Sequence, residues 1–316
     1  MKNTHTLLLS LMILTFAACE QIIDLRDPDY KPQLFVYGLV SPDDKATLFF
    51  TETQQLEGWI EQINETIYPE DLNPVIEAGG SQYSLEGKEV FFAPLWWRDE
   101  DSTRAFAYQG AENLPDSGRY QLSLQYKEQT ISGSTTVPRK NKIDSAYSQV
   151  LTFEDIGGSW SYTVLRVELT DLAGSEEMYR IHYGYRGVRR DFIIDSINNS
   201  FIWDTIPAIE DYYSPILLDD DKDGQPISLD FNPSINMVPE EETLPDGSTR
   251  RFYRIWLILE THGPESKAFL RSLEEQQYAS GDPFIEPVFL QGNIKGGTGV
   301  FGAFRQSDTL WIKYYD

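Results

Sequence analysis

Cysteine is nearly absent from this sequence of 316 residues, and the single one stands at position 19. One cysteine cannot form a disulfide within the chain, so a disulfide scaffold is excluded. Cys19 follows a short apolar segment, residues 7–18, that comes after Lys2 and ends in Phe-Ala-Ala. The segment is too short for a membrane-spanning helix, which needs about 20 apolar residues. Its composition is that of a secretory signal peptide.

This arrangement predicts that residues 1–18 are a cleaved signal peptide and that Cys19 is the lipid-bearing residue of a lipoprotein. Acyl chains such as palmitate would anchor Cys19 to a membrane, because each buried methylene contributes about 0.8 kcal/mol. The alternative is ordinary secretion, with cleavage after Ala18 and a thiol that has no role. Residues 19–32 are mostly polar and contain Pro28 and Pro32, and we expect them to form a tether.

Histidine is also scarce, with three in the whole chain. Beyond the predicted signal peptide only His182 and His262 remain, and the sequence contains neither His-Glu-x-x-His nor Gly-x-Ser-x-Gly. These motifs would mark a zinc protease or a serine hydrolase. Carboxylate pairs are so numerous that no single pair indicates a glycosidase. The sequence therefore favours a protein that is not an enzyme and that holds no cofactor.

Basic residues are few: the chain has 26 Lys and Arg but 50 Asp and Glu, which gives a formal net charge of −24. Such a charge disfavours binding to nucleic acid or to an anionic lipid surface. Acidic chains can be disordered, but 13% of the residues are aromatic. Aromatic side chains at this frequency predict packed cores.

Apolar and polar residues alternate through most of the chain after residue 32, which is typical of half-buried strands. The polar, basic segment 138–143 separates two such regions. We predict an all-β protein with two antiparallel β-sandwich domains of immunoglobulin-like type, one over residues 33–138 and one over residues 143–316. The turn Leu172-Ala-Gly-Ser175 is expected to join its flanking strands, 162–170 and 178–186, as a hairpin.

One helix is expected, in the second domain. Gly263-Pro264-Glu265 places proline in a first helical turn and an acid beside it, both of which suit a helix N-terminus. Ala268, Phe269 and Leu270 then share an apolar face with Leu273. The sequence predicts a helix over residues 264–278, ended by Gly281-Asp-Pro283.

An acidic segment resembles a calcium-binding loop. Asp219, Asp221 and Asp223 are spaced as Asp-x-Asp-x-Asp before Gly224, and Asp230 stands at loop position 12. Calcium prefers oxygen ligands at these positions, with glycine at the sharp turn. The sequence departs from the usual loop, because position 12 is the shorter Asp and no helices flank it. The alternative is a hairpin turn bearing solvated acids.

The glycines of Gly296-Gly-Thr-Gly299 allow positive φ or close backbone approach. A phosphate-binding loop would need Lys-Ser or Lys-Thr after them, and neither is present. A tight turn before the strand that begins near Val300 is the favoured interpretation.

The adjacent Trp96 and Trp97 suggest an exposed platform for stacking against sugars. Neighbouring residues of a regular strand point to opposite faces, so both rings could serve one platform only outside a strand. Packing in a core or a loop is the commoner role of such residues.

The C-terminal motifs resemble a known family. Asp282-Pro-Phe-Ile-Glu-Pro287 is followed by Asn293-Ile-Lys-Gly-Gly-Thr-Gly-Val-Phe-Gly302. Both are similar to motifs of the domain-of-unknown-function family 4249, which comprises envelope lipoproteins of the Bacteroidota type. The N-terminal features and the first strand, with Pro32-Gln-Leu-Phe-Val-Tyr-Gly38, agree with that pattern, so the resemblance extends over most of the chain.

The resemblance implies an outer-membrane lipoprotein that acts as an accessory binding component beside a TonB-dependent receptor. This expectation comes from association and not from residue chemistry. It does not decide which face of the outer membrane the protein occupies, nor which ligand it binds. The alternatives are a structural or adhesive envelope protein without a soluble ligand and, third, a secreted hydrolase.

Overall fold

Alternation of apolar and polar side chains becomes alternation of buried and exposed positions in this computed structural model. The structure describes residues 31–53, 68–92, 103–155, 158–174, 176–195, 200–214, 217–218, 223–233, 235, 237–279 and 289–315. In strand β1, Leu34–Val40, every second side chain is buried. This period of two arises because successive side chains of a strand point to opposite faces.

Among the described residues, seven strands precede the segment 138–143 and ten follow it. The first seven are β1 Leu34–Val40, β2 Lys45–Glu52, β3 Val75–Ala78, β4 Ser81–Phe92, β5 Thr103–Asn113, β6 Arg119–Tyr126 and β7 Gln129–Thr136. The others are β8 Ser145–Asp155, β9 Gly158–Thr170, β10 Met178–Asp195, β11 Ser200–Tyr213, β12 Leu217–Leu218, β13 Pro226–Phe231, β14 Glu240–Thr243, β15 Thr249–His262, β16 Thr298–Gln306 and β17 Leu310–Tyr314. Helix α1, Pro264–Ala279, lies between β15 and β16.

One hydrogen-bonded path of strands links both halves of the chain. Its order is β11-β10-β15-β16-β1-β2-β5-β4-β3-β6-β7, and β12, β14 and β17 pair with strands on this path. A second, three-stranded sheet has the order β13-β9-β8. The described strands are thus arranged as folded, sandwich-like sheets, and the prediction of an all-β fold with one helix is confirmed.

The first core lies between two layers of the long path, with β16, β1, β2 and β5 on one side and β3, β6 and β7 on the other. Strand β4 pairs with β5 through residues 85–92 and with β3 through residues 81–84, so it carries the path from one layer to the other. The buried side chains of the first core come from β1 to β7 and from β16, which contributes Phe301 and Ala303. Strand β16, from the second region of the chain, therefore completes the first core.

The second core lies between β10, β15 and β17 on one side and β9 and β13 on the other. Leu165, Val167 and Leu169 of the three-stranded sheet pack with Ile255, Leu257 and Leu259 of β15. Two facing sheets with alternating inward residues are the arrangement of a β-sandwich.

Helix α1 covers the outer face of β1 and β16, the face opposite to the first core. Phe269 and Leu270 of the helix pack with Val300 of β16 and Met178 of β10. The helix comes close because residue 302 is glycine: a Cβ there would lie 2.2 Å from Ser266 Oγ. None of the described helical residues forms a segment long and apolar enough to cross a membrane.

Several local predictions are confirmed. The helix occupies Pro264–Ala279, one residue longer than expected. The alternating segments 119–126 and 130–137 predict two paired strands joined by the turn Lys127-Glu128, and this turn joins β6 to β7, with Lys127 at φ 53°. The predicted glycine turn is also present. Gly296 has φ 77° just before β16, and Gly299, the second residue of β16, has φ 103°.

The predicted hairpin at residues 172–175 is wrong. Strand β9 pairs with β8 and β13, whereas β10 pairs with β11, β12 and β15. The turn therefore passes from one sheet to the other. The sequence pattern also predicts separate strands over residues 189–195 and 285–290. Residues 189–195 instead continue β10, and Phe289 and Leu290 are not part of a strand.

The division at 138–143 stays a prediction. Strand β16 of the second region pairs in parallel with β1 of the first, from Phe35↔Thr298 to Val40↔Ala303. Hydrogen bonding thus continues across the proposed boundary, and the C-terminal residues contribute to both regions.

Candidate functional site

Most residues predicted from the sequence as site residues fall where the structure gives no description. Cys19, Asp219 and Asp221 lie outside the described residues, as does the pair at positions 96 and 97. Asp223 and Asp230 are described. Lipidation of Cys19 and calcium binding therefore stay predictions.

Asp230 is engaged by a basic partner. It lies on β13 opposite Arg166 of β9, and Arg166 Nε donates to Asp230 Oδ1 at 2.6 Å while a second guanidinium nitrogen contacts Oδ2. This bidentate pair holds the pKa of Asp230 below its usual range. A calcium ion would have to displace Arg166 to use this carboxylate.

Asp223 takes part in a junction between two turns. Gly174 N donates to Asp223 Oδ1 at 2.6 Å, and Gly224 N donates to Asp171 Oδ2 at 2.8 Å. Asp171 is buried and also accepts from Tyr179 Oη at 2.7 Å. These acids hold the turns together, and within the described ranges no three His, Cys, Asp or Glu side chains are placed to bind a metal ion.

The glycine-rich C-terminal motif has a structural role. Asn293 Nδ2 donates to Ser134 O and to Phe301 O, each at 2.8 Å, and Asn293 Oδ1 accepts from Phe301 N at 2.9 Å. One side chain thus joins β7 to β16. A Cβ at Gly299 would lie 2.0 Å from Val36 O, so glycine allows β16 to approach β1.

The described residues contain a buried acid–histidine pair. Glu260 and His262 lie two residues apart on β15 and so project from the same face of the sheet. His262 Nε2 lies 3.3 Å from Glu260 Oε2, and the side chains are only 4% and 6% exposed for His262 and Glu260. Gln306 Nε2 of β16 donates to Glu260 Oε1 at 3.2 Å.

Opposing effects act on the ionisation of Glu260. Burial alone raises its pKa, but the hydrogen bond and charge of His262, the charge of His182 and the hydrogen bond from Gln306 outweigh burial and lower the pKa of Glu260. Burial raises the pKa of nearby Tyr37 to about 12, with Glu260 adding to the increase and Arg180 opposing it. Glu260 is therefore held as a carboxylate.

This pair is better suited to structure than to catalysis. Its two side chains are almost fully shielded from solvent, and the hydrogen bond from Gln306 to Glu260 joins β16 to β15. General acid–base catalysis needs contact between the titrating group and a substrate. We therefore assign Glu260 and His262 a role in fixing the sheet.

An exposed cluster of aromatic rings lies on the hairpin of β8 and β9. Phe153 stands opposite Trp160, with ring centroids 4.8 Å apart and planes inclined by 22°. Tyr162 lies 5.4 Å from Phe153 and 5.5 Å from Trp160, with similarly parallel planes. We call these three residues the aromatic ridge.

The ridge is exposed because it lies on the face of β8 and β9 that points away from the second core, which takes Leu165, Val167 and Leu169 from the other face. Strand β13 pairs with β9 only from Phe231↔Leu165 to Pro226↔Thr170, so residues 149–155 and 158–163 form a two-stranded arm beyond it. On this arm Phe153 is 41% exposed, Trp160 50%, Tyr162 37% and Val150 63%. Large apolar groups grouped on a surface mark interaction sites more often than scattered ones do.

A polar groove of about 350 Å³ lies on the outer side of β3, β6 and β7. Its lining includes Glu77, Arg119, Gln121 and Lys295. The lining of the groove is mostly polar, whereas sites for small ligands are mostly apolar with a few polar groups. The aromatic ridge is the better candidate for binding.

Comparison of the chain with family descriptions, curated proteins and solved structures found no match. The resemblance to family 4249 therefore stays a prediction.

Proposed function

We propose that the chain is a lipoprotein of the bacterial cell envelope that serves as an accessory binding component of a TonB-dependent uptake system. Its anchor would be acylated Cys19 on the outer membrane, with residues 19–32 as the tether. The N-terminal sequence pattern and the resemblance to family 4249 support this proposal. An acidic surface with a net charge of −24 keeps such a protein soluble beside a membrane.

The aromatic ridge is the single observation that carries the binding role. Its three side chains stand on an arm that has left the core, where they contribute little to packing of the second sandwich. Aromatic side chains are enriched at protein interfaces because they bury a large area at a low cost in conformational entropy. Retaining Phe153, Trp160 and Tyr162 in solvent is readily explained if a partner covers them.

Replacing Phe153, Trp160 and Tyr162 together by serine is expected to abolish co-purification of a TonB-dependent receptor with the tagged full-length protein from native membranes. The contact loses its aromatic area, while the buried residues of β9 are unchanged. Trp311→Ser is the matched control, because Trp311 is 53% exposed on another strand. Absence of any receptor from the wild-type preparation would contradict the proposal and favour a structural envelope role.

Cys19→Ser is expected to move the protein from the outer-membrane fraction to the soluble fraction. Serine cannot form the thioether through which the lipid would be attached, so the anchor is lost. Immunoblotting of separated fractions measures the change, and intact mass of the wild type should show the added acyl chains. A wild-type protein with unmodified mass in the soluble fraction would disprove the anchor.

A further inference from the structure

Strand β8 is an edge strand with its outer side open. In the order β13-β9-β8 it pairs with β9, from Ser145↔Glu168 to Asp155↔Gly158. Among the described strands, none pairs with its other side. A row of backbone N–H and C=O groups therefore faces outward along the arm that bears the aromatic ridge.

This edge lacks the features that usually protect edge strands. Natural edges are kept from pairing by lysine, proline, bulges or a very short strand. Strand β8 is 11 residues long, its sequence Ser-Ala-Tyr-Ser-Gln-Val-Leu-Thr-Phe-Glu-Asp contains neither lysine nor proline, and its register with β9 is continuous. A long, regular and unprotected edge is a template for another strand.

Side chains on both faces of the edge are suited to an added strand. Val150 is 63% exposed on one face, while Leu151 and Phe153 lie on the other. In a sheet, residues on neighbouring strands pack in pairs across the ladder, and aromatic or β-branched pairs stabilise it. A strand added here would pack on the aromatic ridge with one set of its side chains and on Val150 with the other.

Charge limits the identity of that strand. The edge ends in Glu154 and Asp155, and the whole chain has a net charge of −24. A second copy of this chain would bring a further excess of negative charge to the contact, which opposes association. A segment with lysine or arginine beside its apolar residues would be attracted instead.

We propose that β8 binds an extended segment of a partner protein by strand addition, and that this segment alternates apolar and polar residues and carries a basic residue beside Glu154 and Asp155. In such complexes the main-chain hydrogen bonds supply affinity and the alternate side chains supply specificity. A carbohydrate or lipid could cover the aromatic rings but would not complete the backbone ladder. The proposal rests on the binding role proposed above and names its mode.

Photo-crosslinking in cells tests the proposal on the full-length protein, with p-benzoylphenylalanine in place of Thr152 on the exposed edge. We expect crosslinks to one other protein, mapped by mass spectrometry to a short segment of the stated composition. A synthetic peptide of that segment should bind the purified protein in titration calorimetry. Val150→Lys, which introduces the usual protection of an edge, should weaken peptide binding at least tenfold.

Val188→Lys is the matched control, because Val188 is also an exposed valine but lies on β10. It should leave peptide binding unchanged, and circular dichroism should show both variants folded. Crosslinks to this chain itself, to lipid or to polysaccharide would overturn the proposal, as would no crosslink, a peptide that fails to bind, or equal effects of the two lysine variants. Receptor co-purification could be lost when the aromatic ridge is replaced by serine and yet persist in Val150→Lys. That result would contradict strand addition and would still support the binding role.

Discussion

Glu260→Ala is expected to lower the free energy of unfolding by about 3–5 kcal/mol, the range found when one partner of a buried ion pair is removed. The change leaves His262 Nε2 and Gln306 Nε2 without their carboxylate acceptor in a site shielded from water. It also leaves a cavity beside β16. Urea denaturation followed by circular dichroism at neutral pH measures the loss.

Glu241→Ala is the control for this experiment. Glu241 pairs with Arg251 on the surface, where both side chains are more than half exposed. Surface ion pairs contribute at most about 1 kcal/mol. Equal destabilisation by the two substitutions would contradict the role assigned to the buried pair.

The effect of Glu260→Ala should depend on pH in a defined direction. The folded-state pKa of Glu260 lies below its usual value, so folding favours the charged form. The resulting stability is fully present above the unfolded pKa of about 4.3 and is lost as the pH falls through the lower folded pKa. The difference between wild type and Glu260→Ala should therefore narrow below about pH 4, and a constant difference would argue against an ionised Glu260.

Gly299→Ala should destabilise the protein by about 4 kcal/mol or more, a size that indicates a specific structural conflict. The residue has φ +103°, and an added Cβ would lie 2.0 Å from Val36 O. Backbone atoms cannot yield as the end of a flexible side chain can, so β16 would have to move away from β1. Thermal unfolding and limited proteolysis of the C-terminal segment would both report the change.

Gly80→Ala separates backbone strain from collision. Gly80 also has positive φ, at +80°, but a Cβ there would meet no atom within 4 Å. Gly80→Ala should therefore lower the free energy of unfolding by only about 1–2 kcal/mol, the cost of a left-handed backbone conformation for a residue with a Cβ. If Gly299→Ala proved no worse than Gly80→Ala, the close approach of β16 to β1 would not be the reason for glycine at 299.

Local patterns predicted much of the secondary structure but not the pairing of distant strands. Helix α1 and the β6–β7 turn followed from proline, apolar spacing and a two-residue connection. The turn at Leu172-Ala-Gly-Ser175 was recognised as a turn, yet its flanking strands belong to different sheets. Turn chemistry is local, whereas the pairing of β10 with β15 depends on residues about 80 positions away.

The aromatic ridge was not predicted, although its residues are plain in the sequence. Trp160 and Tyr162 occupy alternate positions of β9, a pattern that is typical of a half-buried strand. Their exposure depends on which face of β9 is covered, and the other face is the one that packs against β10 and β15. The pattern within β9 does not show which face the more distant strand β15 will cover.

The buried pair was only partly foreseen. The apolar run that ends near residue 260 predicts a strand with His262 at its end before the helix, and this is confirmed. Its proximity to Glu260 follows from period two, but burial of both side chains depends on β16 and on the helix that covers this region. Strand β11 was missed altogether, because Ser200–Tyr213 contains proline and several charged residues that disfavour a strand.

The parallel pairing of β1 with β16 affects the order of events during synthesis. Strand β1 pairs with β16, which lies roughly 260 residues later in the chain. The sheet that contains β1 therefore stays incomplete until almost the whole chain has emerged. Until then one side of β1 and the apolar face beneath α1 are available to wrong partners. A chaperone that binds the N-terminal segment during this interval would raise the yield of folded protein. Truncation after helix α1 would remove β16 and leave β1 without its parallel strand.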